Sequence, residues 1–403
     1  MKLVPFRRKK LKRVIVVAAL LAFFVWLSHL VIARPLAFSR FIYPIEASLS
    51  ELTGSCSTGS PAWMDKVVAD VRRNGGGLAN QVAYVSPNGT LHHCENGWQK
   101  APFFSDKVRP ETRFRYASTT KLFTADAILG LVDEGRLSFE SRLLEFLPPV
   151  RELKDERIAD ITIQDLLNHT SGFNRTIGMP DMLQLNKTPW CPGSLKRISE
   201  RTLEHEPGTQ PAYSNLGYCL LGVVIEQTTG VGYREYIKER YAIGEHGIRF
   251  IDGPYLDDEV RYDFRHSNFL SDDYYRYWDF AALSSSAGLS GNAVALARQV
   301  RGMLVSRPLN VTSYDYQSDK CSPTNIRGCY GYAAYQYQPE DGPFPVYIQG
   351  GHLPGASSMV MMDDRGGVLV WLGAGQPPNG FESKKMLYQR FYNRLADFYS
   401  DKE

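Results

Sequence analysis

The chain has 403 residues, of which 43% are hydrophobic and 12% aromatic, so it is not a disordered composition and has room for one large or two medium domains. The formal net charge is +3. Seven basic residues lie in the first thirteen positions with no acidic residue among them: Lys2, Arg7, Arg8, Lys9, Lys10, Lys12 and Arg13. The other 39 basic residues are outnumbered by 43 acidic ones, so we expect no nucleic-acid partner.

An apolar segment follows this basic tail. Residues 14–33 contain only Ser28 and His29 as polar residues, and twenty residues of helix span the hydrocarbon core of a bilayer. Basic residues before such a segment favour a cytoplasmic N-terminus. The sequence therefore predicts a basic cytoplasmic tail (1–13), a single transmembrane helix (14–33) in the inner, cytoplasmic membrane, and a periplasmic body. The alternative is a cleaved signal peptide ending at "VIA", residues 31–33; the length of the segment favours the uncleaved anchor.

Six cysteines fit an oxidising compartment: Cys56, Cys94, Cys191, Cys219, Cys321 and Cys329. They allow 15 pairings, and we favour Cys321–Cys329 because these two residues bracket a short loop. Cys56–Cys94 and Cys191–Cys219 are further candidate pairs, although Cys219 lies on an apolar helical run and could be a free buried thiol. The chain contains neither CxxC nor HExxH, so we expect no metal and no other cofactor.

The order of local patterns suggests one sheet built from both ends of the body. Residues 34–60, rich in serine, proline and glycine, are interpreted as a linker, and residues 61–73 as a helix. Residues 81–94 predict a hairpin around "PNG", and residues 357–375 a second hairpin around "DDRGG". A last helix is predicted over 382–400. The predicted helical runs of the middle part are 119–135, 161–168, 214–229 and 291–305.

Ser118 and Lys121 are a candidate catalytic pair. They follow the strand-like run "TRFRYA" and open a helical run, where residues three apart share a face. A serine hydroxyl becomes a nucleophile when a base takes its proton, and lysine can be that base where its surroundings lower its pKa. The alternative is a serine N-cap beside a solvated lysine, which is common for an isolated SxxK.

Tyr213 and Asn215 form a second candidate pair, in a loop before an apolar helix. A tyrosine hydroxyl can hold or pass a proton when positive groups lie close, and an asparagine amide can orient a substrate amide. The alternative is a loop tyrosine followed by a helix cap.

Together these segments resemble the superfamily of serine β-lactamases and penicillin-binding proteins, most closely its class C β-lactamase and D,D-peptidase branch. The resemblance runs in order from about residue 61 to 400 through four segments, which are "FRYASTTKLFTADAILGLVDEGRLSFESRLLEFLP", "ITIQDLLNHTSGF", "EPGTQPAYSNLGYCLLGVVIEQTTG" and "AGLSGNAVALARQV". It implies an α+β, β-lactamase/transpeptidase-like fold over residues 61–403. In that fold an antiparallel sheet of N- and C-terminal strands is flanked by helices, and a mainly helical lobe spans roughly 136–285.

The resemblance also implies roles for individual residues. Ser118 would be the nucleophile that forms an acyl-enzyme and Lys121 the base that activates it. Tyr213 would act with Lys121 in proton transfer to the leaving group, and Asn215 would orient the substrate. His169, in "NHTSG", matches a family position and is interpreted as structural.

The third family motif, Lys or His followed by Thr or Ser and then Gly, has no literal match. Counting back from Pro354-Gly355 places Gln349, Gly350 and Gly351 at this motif, with the backbone N–H of His352 as second oxyanion donor beside that of Ser118. Gln349 lacks the positive charge that would bind a substrate carboxylate. The side chain of His352 either substitutes for that charge or packs under the loop.

Two functions from different classes remain open at this stage. One is a membrane-anchored serine hydrolase acting through an acyl-serine on a small-molecule or peptide substrate, at D-Ala-D-Ala-like amide, β-lactam or ester bonds. The other is a weak or inactive penicillin-binding-protein-like module that binds a cell-wall peptide or a partner protein. Neither the substrate nor the oligomeric state follows from the sequence.

Overall fold

The computed structural model describes residues 5–74, 76–173, 189–253, 255–267, 278–314 and 321–401. The first helix, α1 (Pro5–Ala33), begins inside the predicted tail, of which residues 1–4 lie outside the described part. Within its segment Lys12–Ala33, an 18-residue window has a mean hydropathy of 2.6, and the segment is long and apolar enough to cross a membrane. A single helix of this kind near an N-terminus also fits a signal sequence.

The segment interpreted as a linker differs from that expectation. After Arg34 it forms a helix, α2 (Pro35–Glu51), and a short strand, β1 (Ser55–Cys56). Tyr43 is buried, and its hydroxyl donates to the carbonyl of Arg72 at 2.7 Å. The buried residues of α2 recur every three to four positions, so one side of this helix packs against the body. The serines and prolines that suggested a linker lie on this helix.

Each predicted run contains a helix or a hairpin, and further helices and strands that were not predicted lie between these runs. The helices are α3 (Ala62–Arg73), α4 (Lys121–Asp133), α5 (Ile163–Leu167), α6 (Asn215–Thr229), α7 (Tyr233–Tyr241), α8 (Phe280–Ala287), α9 (Ala293–Ser306) and α10 (Phe381–Ser400). The strands are β2 (Asn80–Val85), β3 (Leu91–Asn96), β4 (Phe114–Arg115), β5 (Arg249–Phe250), β6 (Leu289–Gly291), β7 (Cys329–Tyr330), β8 (Tyr335–Tyr337), β9 (Val346–Leu353), β10 (Ala356–Asp363) and β11 (Val368–Gly373). Short 3₁₀ turns occur at Ala117–Thr120, Leu143–Phe146, Glu156–Asp160 and Leu195–Glu200.

The antiparallel sheet joins the two ends of the body, as predicted. Its order is β1-β3-β2-β11-β10-β9-β8-β7, so the C-terminal hairpin β10–β11 pairs directly with β2 of the N-terminal hairpin. The turns "PNG" and "DDRGG" close these hairpins at the pairs Val85–Leu91 and Met362–Val368. A second sheet, β4-β6-β5, was not predicted because each of its strands has only two or three residues.

Both faces of the large sheet are covered. Tyr84 and Trp371 point into a core shared with α3 and α10, whereas Ala83 and Val370 point into the larger core under the helical lobe. Burial on both faces explains why β10 and β11 read as continuous apolar runs rather than as alternating ones. The predicted lobe lies partly outside the described residues, at 174–188 and 268–277.

All six cysteines are paired. Cys321–Cys329, the favoured pair, is present, together with Cys56–Cys94 and Cys191–Cys219. Cys219 is therefore not a free thiol. The Cys56–Cys94 disulfide joins β1 to β3 and connects the segment after α2 to the edge of the sheet.

Candidate active site

Ser118 lies on a tight turn between β4 and α4. The preceding residue, Ala117, has φ of 47°, a left-handed conformation that is costly for a residue with a side chain. The Tyr116 carbonyl holds the turn by accepting bonds from Ser358 Oγ at 2.6 Å and Thr119 Oγ1 at 2.8 Å. The N-cap position of α4 is occupied by Thr120, two residues after Ser118, and its side chain makes no capping bond. Ser118 is therefore not the N-cap of this helix.

Lys121 is fully buried beneath the serine. Its Nζ donates to Asn215 Oδ1 at 2.7 Å, to the Ser286 carbonyl at 2.9 Å and, at 3.4 Å, to Ser118 Oγ. These three acceptors match the three donors of an ammonium group. The predicted pair is thus brought together, and Asn215 contacts Lys121 directly, a contact that the sequence did not predict.

Tyr213 completes this cluster from the loop before α6. The Lys121 Nζ lies 5.0 Å from the centroid of the Tyr213 ring. The positive charge therefore faces a phenol, a favourable cation–π arrangement.

His169 packs against Tyr213, with ring centroids 4.4 Å apart. Its Nδ1 accepts a bond from the backbone N–H of Ser214 at 3.3 Å, between the two residues of the Tyr-x-Asn pair. Burial, together with the charge of Lys121, holds the pKa of His169 well below its usual value, so the ring is neutral. Through these two contacts His169 supports the ring of Tyr213 and the backbone that follows it.

The third motif lies on β9, beside the serine turn. Gln349 is buried, and its Nε2 donates to the Ser118 carbonyl at 2.9 Å, while its Oε1 has no hydrogen-bond partner in the described structure. A Cβ on Gly351 would lie 3.1 Å from Ser118 N and 2.6 Å from the Tyr116 carbonyl, so only glycine allows the strand to approach this closely. Gly350 faces the other way, towards Tyr388 of α10.

The side chain of His352 contacts α10. Its Nδ1 lies 3.3 Å from Nζ of Lys384, which also donates to the Gly351 carbonyl at 3.3 Å. Its Nε2 lies 3.4 Å from Nε2 of Gln376. Strand β9 carries no lysine or arginine beside the serine turn, but the ammonium group of Lys384 lies close to it. Lys384 belongs to α10, about thirty residues later in the chain.

These residues surround one cavity of about 250 Å³. Lys121 lies buried behind it, and the other predicted site residues line it, namely Ser118, Tyr213, Asn215, Gln349, Gly350, Gly351 and His352. The sequence missed several lining residues, among them Lys384, Phe381 and Tyr388 on α10, and Ile326 and Arg327 in the loop closed by Cys321–Cys329. Lys384 sits in an ordinary amphipathic helix, where no motif marks it.

The cavity lining is mainly apolar and includes two cationic side chains. Among the described residues, it contains Arg327 and Lys384 but no aspartate or glutamate. Beside Ile348, β8 ends its pairing with β9, so from Gln349 onward the outer edge of β9 has no paired strand in the described part of the chain. An open edge and positive charge suit an extended, anionic ligand. No cluster of three or more potential metal ligands occurs among the described residues.

Comparison with known proteins gives the family. The family model described as Beta-lactamase matches residues 69–392. FimD of Dichelobacter nodosus serogroup D, a protein named for fimbrial assembly, is 34% identical over 369 residues, which cover 91% of this chain and 92% of FimD. Protein flp of Staphylococcus aureus strain MW2 is 35% identical over 135 residues, covering 34% of this chain and 27% of flp.

Solved structures agree with this fold. D-amino acid amidase from Ochrobactrum anthropi SV3 superposes with a TM-score of 0.66 at 19% identity, over 84% of this chain and 97% of the amidase. Beta-lactamase/D-alanine carboxypeptidase from Pseudomonas syringae gives 0.62 at 18% identity, over 82% and 98%. At these identities the likeness concerns the fold alone, whereas the family match covers most of the chain. The chain belongs to the beta-lactamase family, within the superfamily of serine β-lactamases and penicillin-binding proteins.

Proposed function

We propose that this protein is an active serine hydrolase that cleaves amide or ester bonds through an acyl-serine intermediate. The observation that carries the proposal is the arrangement of Lys121, whose Nζ is held by Asn215 Oδ1 and the Ser286 carbonyl within 3.4 Å of Ser118 Oγ. Burial of a lysine is unfavourable unless its polar group is hydrogen-bonded, and strongly buried ionisable groups are common at functional sites. Because Lys121 lies beside a serine on a strained turn, we assign it the role of general base.

Acylation begins from the neutral form of Lys121, in which its two N–H donors stay on Asn215 Oδ1 and the Ser286 carbonyl and its lone pair faces Ser118 Oγ. This lone pair takes the proton of Ser118 as Oγ attacks the carbonyl carbon of the substrate. The negative charge on the tetrahedral oxygen is stabilised by the backbone N–H groups of Ser118 and His352. The proton then passes from Lys121, with Tyr213 beside it, to the departing amine or alcohol. Because Lys121 Nζ lies 5.0 Å from the centroid of the Tyr213 ring, we assign the proton transfer to these two residues together.

Water then hydrolyses the acyl-serine, releasing the acid and restoring the Ser118 hydroxyl. Asn215 serves first to hold Lys121, which differs from a purely substrate-orienting role. Arg327 and Lys384, which line the cavity, favour a substrate with a negative group beside the scissile bond.

We further propose that α1 anchors the enzyme in the cytoplasmic membrane, with the N-terminus inside and the body periplasmic. The support is the 22-residue apolar span, the basic residues before it and three disulfides after it. Protease added to spheroplasts should digest the body while a cytoplasmic marker stays intact. Protection of both would contradict this orientation.

A second candidate function is a binding module that acts in surface-fibre assembly without turnover. It is favoured by the 34% identity to FimD, a protein named for fimbrial assembly, and by Gln349 where the family carries Lys or His. Surface-fibre assembly is measured in cells that make the protein. Ser118→Ala should abolish assembly if hydrolysis is needed, and it should leave assembly unchanged if only binding is needed.

The test of the hydrolase itself is covalent labelling. The full chain in detergent is treated with a fluorophosphonate and, separately, with a fluorescent penicillin, and the labelled peptide is identified by mass spectrometry. We expect one adduct, on Ser118, which disappears in Ser118→Ala. Absence of any adduct with both probes, in a protein that melts cooperatively, would favour the binding module.

A further inference from the structure

Helix α2 has an inner face that is fixed to the body of the protein. The Arg265 guanidinium binds Glu46 at 2.7 Å and the Ser39 carbonyl at 2.5 Å, and Tyr43 is buried beside them. Arg40 Nε donates to the Arg265 carbonyl at 2.6 Å. These bonds fix the rotation of α2 about its own axis, so its opposite face has a defined direction relative to the domain.

The outer face of α2 is largely apolar although it is exposed, and Ser48 on this face donates its hydroxyl to the Pro44 carbonyl. Phe41 and Ile45 are each 63% exposed, and Leu52, just after the helix, is 71% exposed. Spacings of four and seven residues place these three side chains in one stripe along the helix. A helix that faces only water carries polar residues on that side, so this stripe needs a partner.

A loop continues the stripe. Phe103 and Phe104 are 63% and 92% exposed, and Phe103 lines the same shallow groove as Leu52. We call Phe41, Ile45, Leu52, Phe103 and Phe104 together the apolar face. The same groove is also lined by Lys107 and Arg109, together with Asp106, so cations stand at the border of the apolar face.

The position of the apolar face in the chain points to its partner. Helix α1 ends at Ala33 and α2 begins at Pro35, so only Arg34 separates them, in a non-helical conformation with φ of −139° and ψ of 58°. One residue spans at most about 3.8 Å, so α2 begins at the membrane surface whenever α1 spans the bilayer. The body is bonded to α2 and therefore lies at that surface too.

We propose that the apolar face lies in the lipid bilayer, at the boundary between headgroups and acyl chains, and holds the hydrolase domain flat against the membrane. This inference rests on the proposed anchoring by α1. Aromatic and aliphatic side chains with adjacent Lys and Arg are the composition of segments that bind this interface. The active site is then presented at a fixed height and direction above the membrane.

Photo-crosslinking of the full chain in nanodiscs of phosphatidylcholine and phosphatidylglycerol tests this proposal. Benzoylphenylalanine replaces Phe41 or Phe104, in separate variants, and adducts are identified by mass spectrometry after illumination. The matched control replaces Val305, which is 60% exposed on α9. Arg301, one helical turn before Val305, donates to the Pro87 carbonyl at 2.7 Å, in the turn between β2 and β3. The Phe103–Phe104 loop follows the opposite end of β3, so the control position lies away from the apolar face.

We expect lipid acyl-chain adducts at positions 41 and 104, at least tenfold more abundant than at position 305. Equal, low yields at all three positions, in protein that is incorporated in nanodiscs, would overturn the apolar-face proposal and leave the anchor intact. A chain that does not enter nanodiscs at all would overturn the anchor itself. Adducts to a second protein instead of lipid in native membranes would also overturn the proposal. Melting temperatures of the variants within a degree of the unmodified protein show that the fold is unchanged.

Discussion

Gln349 Nε2 donates to the backbone carbonyl of Ser118 at 2.9 Å, so the residue that we expect at the family's third motif holds the peptide of the proposed nucleophile. This bond links β9 to the turn after β4, across 231 positions of the chain. A neutral side chain therefore supports the serine turn at this position.

Gln349→Ala removes this support and leaves the buried Ser118 carbonyl without that donor. A net hydrogen bond is worth about 1 kcal/mol, so we expect acylation by a reactive ester to slow about fivefold, far less than the loss in Ser118→Ala. Stopped-flow measurement of the acylation rate tests this. A loss of a thousandfold or more would mean that Gln349 takes part in the chemistry.

Lys384→Ala should weaken substrates that carry a free carboxylate beside the scissile bond. A charge-assisted hydrogen bond contributes about 1.5–3 kcal/mol, so we expect kcat/KM for such a substrate to fall at least tenfold, and that for its neutral methyl ester to change less than twofold. Lys385→Ala is the matched control, because this neighbouring lysine on α10 does not line the cavity. Equal losses on both substrates would assign Lys384 a structural role only.

His169→Phe and His169→Ala separate two contacts of this residue. The first keeps a ring against Tyr213 and removes the acceptor for Ser214 N–H, whereas the second removes both contacts. An aromatic pair contributes about 0.5–1.5 kcal/mol, so we expect kcat of His169→Ala to be about tenfold lower than kcat of His169→Phe.

The pH dependence of these His169 variants gives a second readout. The pKa of His169 lies well below its usual value of 6.5, so it carries no charge change between pH 6 and 8. The shape of the rate profile over this interval should be the same in wild type and His169→Phe. Loss of an ionisation near pH 6.5 in the variant would show that His169 titrates during the reaction.

Lys121→Ala should be almost as damaging as loss of the serine. It removes the base and leaves Asn215 Oδ1 and the Ser286 carbonyl without the ammonium group that both accept from. We expect acylation to fall by at least a thousandfold, as for residues that act as one catalytic unit. Acylation that persists within tenfold of wild type would assign the proton transfer to Tyr213 alone.

Local patterns were sufficient to predict the sheet and the Ser118–Lys121 pair. The hairpin turns "PNG" and "DDRGG" are short-range signals, and a spacing of three residues places Ser118 and Lys121 on one side of a helical turn. The three disulfides agree with the candidate pairs, although sequence alone left 15 pairings open.

The remaining features depend on contacts between distant segments. Lys384 lies in a helix with no distinguishing motif, and it reaches the site only because α10 packs beside β9. The helix at 35–51 was mistaken for a linker because Pro44 and several serines obscure its buried positions. The hydrogen bond that Lys121 donates to Asn215 joins residues 94 positions apart, which no local pattern reveals.

The central claim is that Ser118 is the nucleophile, and the direct measurement is hydrolysis of an activated ester by Ser118→Ala alongside its melting temperature. Ser118 makes no helix cap, so the substitution should leave the melting temperature within about a degree while hydrolysis falls by at least a thousandfold. Full hydrolytic activity in Ser118→Ala, together with melting several degrees lower, would contradict the account and make "STTK" a structural turn.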